Sequence, residues 1–258
     1  MTNNVFFPEL IQAGVEAKLG DAIKLYNISH LADLQNEVGG DKITVYENQF
    51  SGDAEAVAAG TMIPISDFEQ KSVQVDVVKY ADGKQFTEEE IISAYSDVQS
   101  DAEEHLLASV SGGIEASLFT ALNGIDAAMT HTAEALNVKS VADSLAKFGE
   151  DLFKENYLIV NGVDFAVLRN DDNFIVKSNE KVDSVGEVFG CTVIVSNRAT
   201  AGTAFIVQEG ALGIYLKKDV DVRVQTEDAN DTVLVTGRAH AATHLRNAKG
   251  AIKINFAG

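Results

Sequence analysis

The sequence predicts an α+β fold, and three observations carry that prediction. Thr87 with Glu90 three residues on forms a capping box, after which apolar residues recur at helical spacing as far as about Leu122. Three short apolar runs, at residues 157–160, 191–195 and 204–207, are divided by Gly and Asn and read as buried strands. Val220, Val222 and Val224, then Val233 and Val235, then Ile252, Ile254 and Phe256, alternate with other residues as half-buried strands do.

Taken in order, residues 5–34 place Leu10, Ile11, Val15, Leu19, Ile23 and Leu25 at broadly helical spacing, interrupted by Gly14 and Gly20. This predicts a loosely structured arm with one or two short helices. Gly39-Gly40 ends that pattern, and residues 42–46 begin a strand. Residues 51–67, with Gly52, Gly60 and Pro64 among small side chains, read as a loop. A second strand follows at residues 72–80, where Val73, Val75 and Val77 alternate with Ser72, Gln74 and Asp76. Two strands around a long excursion make an extended finger, and a pair of strands alone is marginal in water, so a partner surface is expected, supplied by another subunit.

Glu88 and Glu89 lie in the first turn of the next helix, where its dipole favours anions. Ile91, Tyr95, Val98 and Ala102, then Leu106, Val110, Ile114 and Leu118, continue the apolar stripe, with a kink expected at Gly112-Gly113. At ~1.5 Å per residue the rod would reach about 50 Å, longer than a small core can enclose. A shorter helix is predicted from Ser140 and Asp143 with the stripe Val141, Leu145, Phe148 and Leu152; Gly149, about 1 kcal/mol worse than Ala, is expected to be carried within it. The polar turn at residues 227–231 suits an antiparallel pair.

Composition excludes several classes. The chain has 258 residues, 46% hydrophobic, which is too apolar for a disordered acidic tail. Its 20 Lys and Arg stand against 39 Asp and Glu, a net of −19, which repels nucleic-acid phosphate and anionic lipid and argues against a DNA-reading role. No apolar run approaches the ~20 residues that span a bilayer. Cys191 has no second cysteine to pair with, and Met1-Thr2-Asn3-Asn4 lacks the regions of a secretory signal, so a reducing cytoplasm is expected.

Chemistry finds little support. No glycine-rich loop ends in Lys and Ser or Thr, since Gly20 is followed by Asp21-Ala22, and neither the Rossmann glycines nor a Gly-x-Ser-x-Gly elbow is present. His240 and His244 would share a face of a helix, but residues 232–245 begin as a strand, which separates the two rings by about 13 Å. Asp171-Asp172 and Glu227-Asp228 lack a calcium-loop pattern and read as solvated turns. Cys191, beside Thr192-Val193-Ile194, reads as core. No catalytic, cofactor-binding or metal-ligating residue is predicted, and the chain is expected not to be an enzyme.

Several segments, in fixed order, resemble the major capsid proteins of tailed bacteriophages with the Hong Kong 97 type of fold. They are Phe7-Pro8-Glu9-Leu10, the run 52–60 followed by Ile63-Pro64, and Phe86-Thr87-Glu88-Glu89-Glu90. Further on come 157–160 with Leu168-Arg169-Asn170-Asp171, residues 190–197, and 205–216 with Gly210-Ala211-Leu212-Gly213. The resemblance implies an N-terminal arm at 1–38, an extended two-stranded loop at 39–82 and a peripheral domain with a spine helix at 83–130. It implies further an axial domain at 131–216, peripheral return strands at 217–246 and a C-terminal strand of the axial domain at 247–258. By the same resemblance the chain self-assembles into pentamers and hexamers of an icosahedral virion head built in the host bacterial cytoplasm. The head encloses double-stranded DNA without sequence-specific binding, needs no cofactor and meets no membrane. Its partners are further copies of itself, a portal protein, and possible decoration and scaffolding proteins. No long helical scaffolding segment precedes the arm, which implies a separate scaffolding protein or none. Lys42 and Lys71 lie in or beside the loop that some relatives crosslink, but no partner residue is singled out. An encapsulin-like nanocompartment shell and an acidic α+β enzyme are the alternatives.

The charge is also polarised along the chain. Residues 82–105 hold eight acids and one Lys, a net of −7, whereas residues 236–258 hold two Arg, two Lys and no acid. The acidic start of the long helix is expected to meet basic surface on neighbouring subunits, and general acidity to keep the shell's inner wall from adhering to DNA.

Overall fold

The computed structural model describes residues 6–34, 41–48, 56–57, 62, 70–94, 97–171 and 184–256. The first helix, α1 (Pro8–Ala22), starts on a proline whose missing N–H costs nothing there, and buries Ile11, Val15 and Leu19. It is a single packed helix and not a loose arm. Gly14 lies inside it because a Cβ there would come within 2.4 Å of the Glu103 carboxyl group, so the glycine admits a close helix–helix approach that Lys18 seals with a 2.7 Å ion pair to Glu103.

The chain continues through β1 (His30–Asp33) to the finger, β2 (Lys42–Asn48) and β3 (Gln70–Asp76), paired antiparallel with Val45 opposite Val73. The second predicted strand divides at Val77, and its remainder is β4 (Val78–Thr87), which pairs elsewhere. Ile43, Val45 and Val75 pack with Tyr215 and Ala242 of the same chain. The expectation that another subunit supports the finger is thus corrected for its base. Most of the predicted loop 51–67 lies outside the described residues.

Both halves of the Thr87 capping box form, with Thr87 N–H donating to Glu90 at 2.9 Å and Glu90 N–H donating to Thr87 Oγ1 at 3.2 Å, but the helix they start is short. It ends as α2 (Glu88–Ser93), with Ala94 extended, and Asp97 caps a new helix, α3 (Val98–Asn123), by accepting from Gln99 N–H at 3.1 Å. The predicted single rod is corrected to these two helices. The kink expected at Gly112-Gly113 does not occur there, because both glycines stay helical under the side chains of Arg198 and Tyr80. Its 26 residues span about 39 Å. Val98, Ala102, Leu106, Val110, Ile114, Leu118 and Leu122 are buried every fourth position. That repeat walks about 40° around the helix at each step, so α3 is covered by α1, by β4 and β11, and by β12 and Phe205 of another sheet.

After a 3-10 turn come β5 (Thr130–Ala133) and α4 (Val138–Leu145). The cap of α4 is Asn137, in a box with Ser140, and not Ser140 with Asp143. The α-helix already ends at Leu145, and Gly149 adopts φ 58°, a conformation L side chains rarely take, inside the 3-10 stretch from Ala146 to Phe153, so it breaks the helical pattern it was expected to be carried within. Then follow β6 (Asn156–Val160), α5 (Gly162–Arg169), β7 (Ser184–Val188), β8 (Cys191–Val195), β9 (Thr203–Gln208), β10 (Leu212–Glu227), β11 (Thr232–Leu245) and β12 (Ala251–Phe256).

Three sheets result, ordered β1-β10-β11-β4, β5-β12-β9-β6-β8-β7 and β2-β3. The six-stranded sheet is covered on both faces. Tyr157, Ile159, Phe205 and Val207 join α1 and α3 in one core, while Leu158, Val160, Val193 and Ile206 join α4 in another. Continuous apolar runs are what two covered faces require. In the four-stranded sheet only one face meets α3: Val235, Ala239 and Ala241 are buried, and a Cβ at Gly237 would lie 3.1 Å from Leu106. Among the described residues no helix is long and apolar enough to cross a membrane.

Candidate assembly surfaces

The residues weighed for chemistry do not converge. His240 and His244 stand on β11, opposite Lys218 and Gly213 of β10. Cys191 is buried in β8, and burial pushes its thiol up to about 12, so it is no thiolate nucleophile near neutral pH. Asp171 accepts from Val138 N–H at 3.0 Å, Asp172 lies outside the described residues, and Glu227 accepts from Asn230 Nδ2 at 3.1 Å in the β10–β11 turn. No group of three potential metal ligands occurs among the described residues.

The buried carboxylates hold the fold together. Glu115, on the inward side of α3, accepts from Arg198 Nε at 3.1 Å and from Ser196 Oγ at 3.4 Å, tying α3 to the loop after β8. A cavity of about 400 Å³ beside this pair is lined by Ala22, Leu107, Ala108, Gly112, Glu115 and Arg198. Asp164, in the first turn of α5, accepts from Gly202 N–H at 3.1 Å. Sequence reading missed the Glu115–Arg198 pair. Its only trace was the small residue Gly112 beside a buried acid, since a Cβ on Gly112 would come 2.6 Å from Arg198 Nη2.

On the open face of the four-stranded sheet, Asp221 accepts from Arg238 Nε at 2.8 Å and from Lys218 Nζ at 3.4 Å. The Arg238 hydrogen bond, aided by Lys218, holds its carboxyl below the usual carboxylate range. A carboxyl whose pKa is depressed on folding stabilises the protein above its unfolded value, near ~4, and loses that contribution as pH falls through the folded value. Asp221→Asn is therefore expected to melt below the wild type at pH 7, with the gap closing as the pH is taken below ~4 in paired thermal melts.

The other exposed features are apolar side chains on separate elements. Tyr46, 60% exposed, lies on the open side of the finger. Ile92 of α2 is 77% exposed, and no residue of α2 is buried. Val163 and Val167, one turn apart on α5, are exposed, as is Phe189 in the β7–β8 turn. Exposed apolar side chains of this kind can be covered by contact with other macromolecules.

Comparison with known proteins agrees. A family model described as phage capsid protein matches residues 70–254. The chain is 27% identical over 262 residues to the major capsid protein of Staphylococcus phage phiMR11, covering 98% of this chain and 94% of that one. Among solved structures it resembles the capsid of Ralstonia phage GP4, with a TM-score of 0.70 at 9% identity, covering 90% of this chain and 87% of that one. It also resembles the capsid of the cyanophage P-SCSP1u, with a TM-score of 0.69 at 10% identity, covering 90% and 87%.

Proposed function

Because the chain belongs to the phage capsid protein family and is a major capsid protein, a structural subunit and not an enzyme, we propose that it closes into pentamers and hexamers that tile the icosahedral head of a tailed phage. The observation that carries this reading is the end-to-end similarity to a phage major capsid protein, which spans 98% of the chain. We assign the four-stranded sheet with α3 to the peripheral domain, the six-stranded sheet with α4 and α5 to the axial domain, and β2 and β3 to the extended loop. The separation of the two sheets, with β12 returning the chain from the first to the second, supports that division.

The subunit's partners in this reading are other copies of itself and a portal protein, with scaffolding and decoration proteins as further contacts during assembly in the host cytoplasm. The enclosed double-stranded DNA is held without sequence reading, in keeping with the net charge of −19. Both the family model and the major capsid relative are phage proteins, which favours a virion head over a nanocompartment shell. Expression with the neighbouring phage genes, followed by sedimentation and negative-stain microscopy, is expected to yield closed shells of uniform diameter. A chain that remains monomeric under every assembly condition would overturn the reading.

A further inference from the structure

The open face of the four-stranded sheet is basic in a strongly acidic molecule. Along β11, the alternate residues Val235, Gly237, Ala239 and Ala241 turn toward α3, so Thr236, Arg238 and His240 occupy the opposite face. The finger base covers one end of that face at Ala242 and Tyr215. The next rung is Lys79 of β4, His240 of β11 and Lys218 of β10, directly across from one another. Arg238 and Arg223 continue the positive charge, with Asp221 as the acid between them. Burial, then the cations of Lys218, Lys79, Arg238 and Lys217, push the His240 pKa below its usual value. Lys79 and Lys218 flank His240 on this face, and Asp221 is the acid that Lys218, Arg223 and Arg238 share, so positive charge is left over for an anionic partner to meet.

A matching element exists in the same chain. Helix α2 has six residues, three of them Glu, no buried side chain and Ile92 exposed. So short a helix cannot hold itself by propensity; the single chain provides its cap, its contact with β4 and the packing of a half-buried Ile91 on the main core, while Glu88, Glu89 and Ile92 face outward. It cannot fold back onto its own basic face. Lys79 and Thr87 are eight residues apart on one extended strand, about 27 Å. A basic surface at one end of a strand and an acidic helix at the other form a head-to-tail pair, the kind of contact that generates rings when its rotation closes.

We propose that the Lys79–His240–Lys218 face receives the Glu88–Glu89 segment of α2 from a second copy of this chain. The proposal rests on the shell reading for its biological setting, but the contact itself is tested by self-association. Lys79→Glu with Lys218→Glu, and separately Glu88→Lys with Glu89→Lys, are expected to lower the assembled fraction at physiological salt about tenfold, with the subunit still folded and melting cooperatively. Glu90 is left in place to preserve the cap. Combining all four substitutions exchanges the charges and is expected to restore assembly toward the wild-type level.

Sedimentation velocity of each variant at low and high salt, beside microscopy, separates the outcomes. Double variants that associate like the wild type, or a combined variant no better than the worse double, overturn the proposal. So does a Lys79→Glu, Lys218→Glu protein that forms normal shells but retains less DNA, because the face then meets nucleic acid. If the wild type forms no shells yet associates in a salt-sensitive way that the charge exchange rescues, the contact stands and the shell reading falls. If the wild type does not self-associate at all, both fall.

Discussion

Phe205→Ala is expected to destabilise the subunit by about 4 kcal/mol and to lower its melting temperature by about 12 °C. Phe205 is almost fully buried on β9, near the middle of the six-stranded sheet, and its ring meets Phe119 of α3 edge-on with centroids 6.2 Å apart. The same core contains α1, α3 and strands of both larger sheets, so one truncation opens a cavity where these elements join. A cavity between elements that hold one another in place relaxes little, which puts the cost toward the upper part of the range for such changes. The comparison is Phe7→Ala: Phe7 is about half exposed, and its loss should move the midpoint by no more than a degree or two. Equal effects from the two variants in calorimetry would show that the shared core does not hold the sheets together.

Val45→Asp is expected to abolish shell formation while leaving the body of the subunit folded, its melting temperature within about 2 °C of the wild type. Val45 sits in the small cluster that seats the finger on Tyr215 and Ala242, apart from the main core. A carboxylate there has no ionic partner in the cluster, and burying an unpaired charge costs several kcal/mol, more than so small an apolar contact returns. The finger therefore leaves its seat while the four-stranded sheet, held by α3, remains. Val45→Ala removes only part of the contact, about 1 to 2 kcal/mol, and should reduce the yield of shells without eliminating it. Normal shells from Val45→Asp, counted by microscopy, would show that the finger's placement on its own subunit is unimportant for assembly.

How much of this was legible in the sequence depends on the range over which each signal acts. The capping box at Thr87 and Glu90 formed as read, because a cap is decided by four consecutive residues. The long alternating pair and its polar turn formed for the same kind of reason, as β10 and β11. The apolar runs at residues 157–160 and 191–195 became adjacent parallel strands of the six-stranded sheet. By contrast, the periodic stripe after Thr87 ran unbroken through the real break near Ala94, and the glycines that looked like a kink stayed helical. Gly149 broke the 3-10 stretch after α4 through a positive φ that propensity does not register. Gly14 turned out to be a point of close approach, a property of Glu103 on another helix.

The assembly surfaces were legible only as composition. Acid in residues 82–105 and base after residue 236 were visible as charge, but only the fold sets β4, which carries Asp82, directly alongside β11, which carries Arg238, and brings the Asp82 carboxylate within 3.3 Å of His105 Nε2. Lys79, His240 and Lys218 are scattered over 162 positions and become one row only when three strands align. By itself, the sequence determined the class of fold, the order of its longest elements and most of the residues that must be hidden, because periodicity and local caps depend on neighbours a few residues away. Tertiary structure alone decided what hides them. A buried face reports that something covers it, and the identity of the cover comes from strand register and helix approach between segments far apart in the chain.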